Sequence, residues 1–243
     1  MRALCCVAAL CLNLGGVLLS VAQARVVLAR AVPVAPWSFP DKPSQGVVPE
    51  YLKAMFDAAG VPLVVETLPY LRVMQGLKDG STELTVLIPD AERDAVALRL
   101  CQPTRIQSGV IYKHSRYPYI GKPGDLAGKR IGVPRGTKAL DELDKVPGVE
   151  RYPIETVDQG FRMLKLDRLD ATFVSTPGSD LLLRESRLDP GEYRFLEVTT
   201  SPVVIYVSRR STLASEPALL EQLRQLCDGP LRKIMDGLMQ RYR

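Results

Sequence analysis

Apolar residues in this chain alternate between two spacings, and the alternation repeats. Val26–Val32 is a β-branched run, which predicts a strand. A Pro-rich loop from Pro33 to Gln45 follows. Val47–Ala59 then carries Leu52, Met55, Phe56 and Ala59 at helical spacing, and Gly60 closes it. Val61–Thr67 reads as a strand, Pro69–Lys78 as a helix stopped by Asp79-Gly80, and Glu83–Ile88 as a third strand. Asp90 can cap a single helical turn over Ala91–Arg93. Two extended runs come next, Ala95–Cys101 and Ser108–Lys113, divided by Gln102-Pro103-Thr104-Arg105.

After a polar loop the pattern restarts: strand Arg130–Val133, helix Thr137–Lys145, strand Val149–Ile154, helix Val157–Leu166, strand Leu169–Val174 and helix Pro177–Arg187. Two further extended runs, Tyr193–Val198 and Pro202–Ser208, lead to helices over Glu216–Cys227 and Leu231–Arg241. Strands alternating with helices at this interval predict an α/β fold with a mostly parallel sheet. The whole reads as two α/β units joined by extended crossings, closed by a helical pair.

The ends and the composition change this picture modestly. Arg2, an apolar run from Ala3 to Val21 and Ala22-Gln23-Ala24 form a secretory leader with a small-residue cleavage site, so residues 1–24 are read as removed. The net charge of +5 over 243 residues is scattered, without the basic run that grips nucleic acid. Beyond the leader two cysteines remain, Cys101 and Cys227. They are either a disulfide suited to an oxidising compartment or two buried small hydrophobes. His114 is the sole histidine, and no cluster has metal-ligand or nucleophile-base spacing, so neither a metal nor a cofactor is expected.

Lys129–Leu143 is the stretch with the clearest chemistry of its own. A strand, a turn at Gly136 and a helix from Thr137 would aim backbone N–H groups and a helix dipole at one anion. The spacing does not fit a phosphate loop, because Gly132 and Gly136 stand too close and Lys138 follows Thr137. An ordinary capped connection is the alternative.

Several segments, in order, resemble the bacterial periplasmic solute-binding proteins of the amino-acid type, family 3. Asp125-Leu126-Ala127-Gly128-Lys129-Arg130-Ile131-Gly132-Val133, continued by Gly136-Thr137, is similar to that family's D-L-x-G-K-x-I-G-V-x-x-G-T. Pro36-Trp37-Ser38-Phe39 resembles its first aromatic loop, and Asp90-Ala91-Glu92-Arg93 its T-x-E-R. Leu166–Ala171 resembles L-x-x-G-x-x-D-A, and Asp228-Gly229 a late turn before the last helix. The chain reads as a divergent member.

The resemblance implies a two-lobed (type II) fold with two extended hinge crossovers. Lobe 1 would comprise 25–107 and 203–243, and lobe 2 108–202. It implies a monomeric periplasmic binding protein that closes on a small solute and passes it to an inner-membrane ABC permease. A sensor module or a dehydratase on the same fold are the alternatives. By position, Arg93 would grip a ligand carboxylate, with Gly136 and Thr137 opposite. Trp37 and Tyr70 would pack on the ligand body or else belong to the core, and Arg72 would add a positive group or face solvent. The resemblance also puts Cys101 and Cys227 in one lobe. Ser175 stands where amino-acid binders place the acid for the ligand's ammonium, which points to a ligand without an amine or to an amine met by Glu50, Glu66 or Asp180.

Overall fold

The computed structural model describes residues 25–135, 137, 141–189 and 191–243; the leader at 1–24 and the turn residue Gly136 lie outside them. Eight strands form one sheet. In chain order they are β1 (Val27–Ala31), β2 (Leu63–Thr67), β3 (Leu84–Leu87), β4 (Ala97–Lys113), β5 (Arg130–Pro134), β6 (Glu150–Ile154), β7 (Ala171–Ser175) and β8 (Tyr193–Ser208). Across the sheet they run β2-β1-β3-β8-β4-β7-β5-β6. At one end β1 pairs in parallel with β2 and β3, and at the other β5 pairs in parallel with β6 and β7.

Between these two parallel units lie β4 and β8, antiparallel to each other along nearly their whole length. The sequence suggests two broken crossings. The structure instead joins Ala95–Cys101 and Ser108–Lys113 into one strand of 17 residues, and Tyr193–Val198 and Pro202–Ser208 into one of 16. The polar residues between the runs remain in the ladder because each strand supplies the other's partners. The strain of Gln102-Pro103 is absorbed as register shifts between Cys101 and Thr104, not as a break.

Each unit has its own core. The first draws on β1, β3 and the helices α1 (Val47–Ala59), α6 (Pro217–Asp228) and α7 (Leu231–Arg241), with Leu52, Phe56, Leu84, Ile205, Leu223 and Met235 buried together. In α1 the buried positions follow a helical stripe, and Gly60 ends it in the left-handed region at φ 71°. The second unit packs both faces of its strands. Along β4, Val110 and Tyr112 enter one cluster with Ile131 and Phe173, while Ile111 between them enters another with Phe161, Leu164 and Val174. Helices α4 (Val157–Lys165) and α5 (Ser179–Glu185) belong to this unit.

Cys101 and Cys227 are disulfide-bonded, tying β4 to α6 across a sequence separation of 126. The helix expected over Thr137–Lys145 is not seen in its described part: Thr137 lies in no helix, and only a 3₁₀ turn forms over Asp141–Lys145. Leu143 is buried within that turn, and residues 138–140 lie outside the described residues.

Candidate functional site

The loops that leave β1, β3, β5 and β7 all open toward one cleft between the two units, at the carboxyl ends of the parallel strands. Its volume is about 630 Å³, ample for a small molecule. Ile106, Ser108, Ser201 and Val203 of the two crossing strands also line it.

Arg93 supplies the strongest charge. It belongs to the short helix α3 (Ala91–Val96), whose N-cap Asp90 accepts a hydrogen bond from the Arg93 backbone N–H at 2.9 Å. Although charged, Arg93 is only 6% exposed. Its guanidinium donates to the carbonyl of Ile88, to the Tyr70 hydroxyl at 3.0 Å, and stands 3.1 Å from Asp90 Oδ2. Its Nε has no partner among the described residues. The neighbouring acids are engaged elsewhere. Glu92 pairs with Lys78 at 2.9 Å, and Asp94 accepts from Arg99 at 2.6 Å and from the Tyr206 hydroxyl at 3.0 Å. The Arg99 hydrogen bonds hold the Asp94 carboxyl below its ordinary range.

Tyr70 begins the helix α2 (Tyr70–Asp79), and its ring lies beside Arg93, with the guanidinium carbon 5.6 Å from the ring centre. Because its oxygen accepts from Arg93, its own O–H remains able to donate. Arg72 does not join them. Two residues on and about 200° around the helix from Tyr70, it is exposed and is not among the residues that line the cleft, the solvent-facing alternative of the two.

Trp37 lines the cleft and is largely buried, so it is both ligand wall and core. Its Nε1–H donates to the Thr176 carbonyl at 3.2 Å, linking the first unit to the loop after β7. The approach is close on both sides. A Cβ on Gly178 would fall 2.2 Å from Pro36 Cδ, and one on Gly46, at φ 116°, 2.7 Å from the Trp37 carbonyl.

Thr137 and Ser175 line the opposite wall with Phe173. Gly136 and residues 138–140 beside Thr137 lie outside the described residues. Of the acids considered as amine acceptors, or as general acids for a dehydratase, Glu50 is bound to Arg241 and Tyr242 and Glu66 to Arg30 at 3.2 Å; neither lines the cleft.

Three features escape a sequence reading. Ser108 is fully buried at the cleft, its Oγ without a partner among the described residues. At the rim Arg135 pairs with Glu155 at 2.7 Å, and Glu142 accepts from Lys145 at the same distance. Asp90, legible as a helix cap, also neutralises Arg93. Its spacing of three residues from that arginine on a helical turn is the signal that could have shown it.

No protein-family model matches the sequence, and a search of curated proteins finds no match. Solved structures do match. The substrate-binding protein of an amino acid ABC transporter aligns over 90% of this chain and 99% of its own, with TM-score 0.70 and 19% identity. The GluR0 ligand-binding core complexed with L-glutamate covers 90% and 99%, with TM-score 0.74 and 14% identity. The Bordetella pertussis BvgS VFT2 domain covers 90% and 93%, with TM-score 0.73 and 14% identity. The chain has the two-lobed α/β fold of the periplasmic binding proteins, and its cleft is the space between the lobes.

Proposed function

We propose that this chain is a periplasmic substrate-binding protein. It captures a small carboxylate-bearing solute, an amino acid or a related organic acid, and delivers it to an inner-membrane ABC transporter. In this reading the leader is removed on export, and the monomer has lobe 1 at 25–107 and 203–243 and lobe 2 at 108–202. The crossing strands β4 and β8 flex to close the lobes on the solute.

One observation carries the reading: a nearly buried guanidinium borders a cleft between two lobes and keeps one donor, Nε, without a partner among the described residues. A buried donor left unpaired is costly, and a carboxylate entering the cleft would satisfy it. The Tyr70 hydroxyl stands on the same side to donate a second bond. The likeness to the substrate-binding protein of an amino acid ABC transporter and to the GluR0 ligand-binding core supports the binding fold. Among the described residues no helix is long and apolar enough to cross a membrane, as a carrier working between membranes requires.

A thermal-shift panel of amino acids, organic acids and polyamines tests the proposal. A true ligand at ~100 times its dissociation constant stabilises by about 2.7 kcal/mol. The hits should be carboxylates; a panel in which only polyamines stabilise contradicts the reading.

A further inference from the structure

We propose that the cleft selects carboxylates that lack an ammonium group and carry an apolar body, an aryl or branched aliphatic chain. The inference rests on the carboxylate reading above and narrows it.

The first argument is a charge census of the cleft. Three described acidic side chains line it, and each already faces a cation: Asp90 faces Arg93 at 3.1 Å, Glu155 faces Arg135 at 2.7 Å, and Glu142 faces Lys145 at 2.7 Å. The Glu155 and Glu142 pairs lie largely in solvent, so Asp90 is the shielded acid of this set, and an ammonium in the cleft would have to take it from Arg93 or sit desolvated without a counter-charge, both of which are expensive. Ser175 and Thr137, on the opposite wall, offer hydroxyls that can accept a hydrogen bond but carry no charge.

The second argument comes from the walls. Trp37, Val48 and Val86 on one side, Ile106 and Val203 on the crossing strands, and Phe173 on the other make a lining that is mainly apolar. Polar donors remain at Arg93, Tyr70 and Ser108. Arg93 Nε and Ser108 Oγ have no partner among the described residues, and the Tyr70 O–H is free to donate because its oxygen already accepts from Arg93. One anionic head with an apolar tail matches this division; a zwitterion does not.

Asp90 sharpens the selection. With it beside Arg93 the guanidinium keeps Nε as the donor without a partner among the described residues, which one ligand carboxylate can use, whereas a second carboxylate would be left unmatched.

The test is a set of matched probes titrated by calorimetry into the mature chain: 3-phenylpropanoate, phenylalanine, 3-phenylpropanamide and L-glutamate. The first two differ chiefly by the ammonium, and the first and third by the carboxylate charge. We expect 3-phenylpropanoate to bind at least about tenfold more tightly than each of the others, the scale of one uncompensated charge. Phenylalanine or glutamate binding as tightly as 3-phenylpropanoate overturns this inference and leaves the carboxylate reading standing. The amide binding as tightly as the acid overturns both. Absence of binding by all four at millimolar concentration overturns the apolar-carboxylate class.

Ser175→Asp gives an independent arm. It places an unpaired acid on the wall and should raise the affinity for phenylalanine at least about tenfold while weakening 3-phenylpropanoate. An unchanged preference in a variant that melts like the wild type contradicts the role given to Ser175, and the wild-type probe set decides alone if the variant does not fold.

Discussion

The indole N–H of Trp37 donates to the backbone carbonyl of Thr176 at 3.2 Å, a bond that crosses from one lobe to the other. Thr176 follows β7, whose last residue is Ser175, so the Ser175 wall of the cleft and its Trp37 wall are tied to each other at this point. Trp37 is also the sole tryptophan of the chain. Its emission should therefore change when the cleft fills. Trp37→Phe retains a ring but removes the donor and should cost about 1 kcal/mol, measured by denaturant unfolding. A ligand that stabilises the protein yet leaves tryptophan emission unchanged would argue against binding beside Trp37.

Asp90 does two jobs, capping α3 and balancing Arg93, and the two can be separated. Asp90→Asn keeps a side-chain acceptor for the Arg93 backbone N–H but removes the charge. Its melting temperature should stay near that of the wild type, while affinity for a monocarboxylate rises because the guanidinium has lost its competitor. Asp90→Ala loses the cap as well and should destabilise by about 1 kcal/mol. Weaker carboxylate binding in Asp90→Asn would mean that Asp90 positions Arg93 more than it competes for it.

Acid should weaken the fold through a defined set of carboxylates. Hydrogen bonds from Arg99 hold Asp94 below its ordinary value, and backbone N–H groups of Gly121 and Ser81 do the same for Asp125 and Asp79. A carboxylate with a depressed folded-state value adds stability above its unfolded value, near 3.9, and loses it as pH falls through the folded one. Melting temperature should hear little from these groups above about pH 5 and should fall below about pH 4. Asp94→Asn should flatten that acid limb, which a series of melts across pH 2.5–7 would register; an acid limb identical to the wild type would remove Asp94 from the account.

The disulfide closes a long loop, with 126 positions between Cys101 and Cys227. Chain entropy gives such a cross-link roughly 4–5 kcal/mol. Cys101→Ser with Cys227→Ser, or reduction, should lower the denaturant midpoint markedly. Because the bond lies within lobe 1 and away from the cleft lining, affinity should change far less than stability.

Most elements were legible because their apolar periods are long and bounded. Val47–Ala59 appears with the bounds the spacing predicts, since a continuous stripe and Gly60 mark it. The crossing strands were not legible as single strands. Their middles are polar, and what keeps them extended is each other, a partnership of residues about a hundred positions apart that no local window contains. The helix expected over Thr137–Lys145 from a strand-turn-helix rhythm is, in its described part, a 3₁₀ turn over the charged run Asp141–Lys145.

The site was legible in part for the same reason. Trp37, Tyr70, Arg93, Thr137 and Ser175 all reach the cleft because each stands at or just beyond the end of a strand or the start of a helix, where sequence position constrains direction. The sequence leaves Arg72 open between cleft and solvent because its direction depends on helical phase within a short element. Ser108 was missed because a serine inside an apolar strand gives no local sign that its hydroxyl lacks a partner. The pairing of the cleft acid Glu155 with Arg135 is tertiary information that no local window carries.

The measurement closest to the central claim is a calorimetric titration of the strongest carboxylate from the thermal-shift panel into the wild type and into Arg93→Ala, with unfolding of both followed to confirm the fold. A charged hydrogen bond contributes about 1.5–3 kcal/mol. The variant should therefore bind the carboxylate roughly 10- to 150-fold more weakly while the matched amide changes little. Equal affinity of a folded Arg93→Ala for the carboxylate would contradict the account.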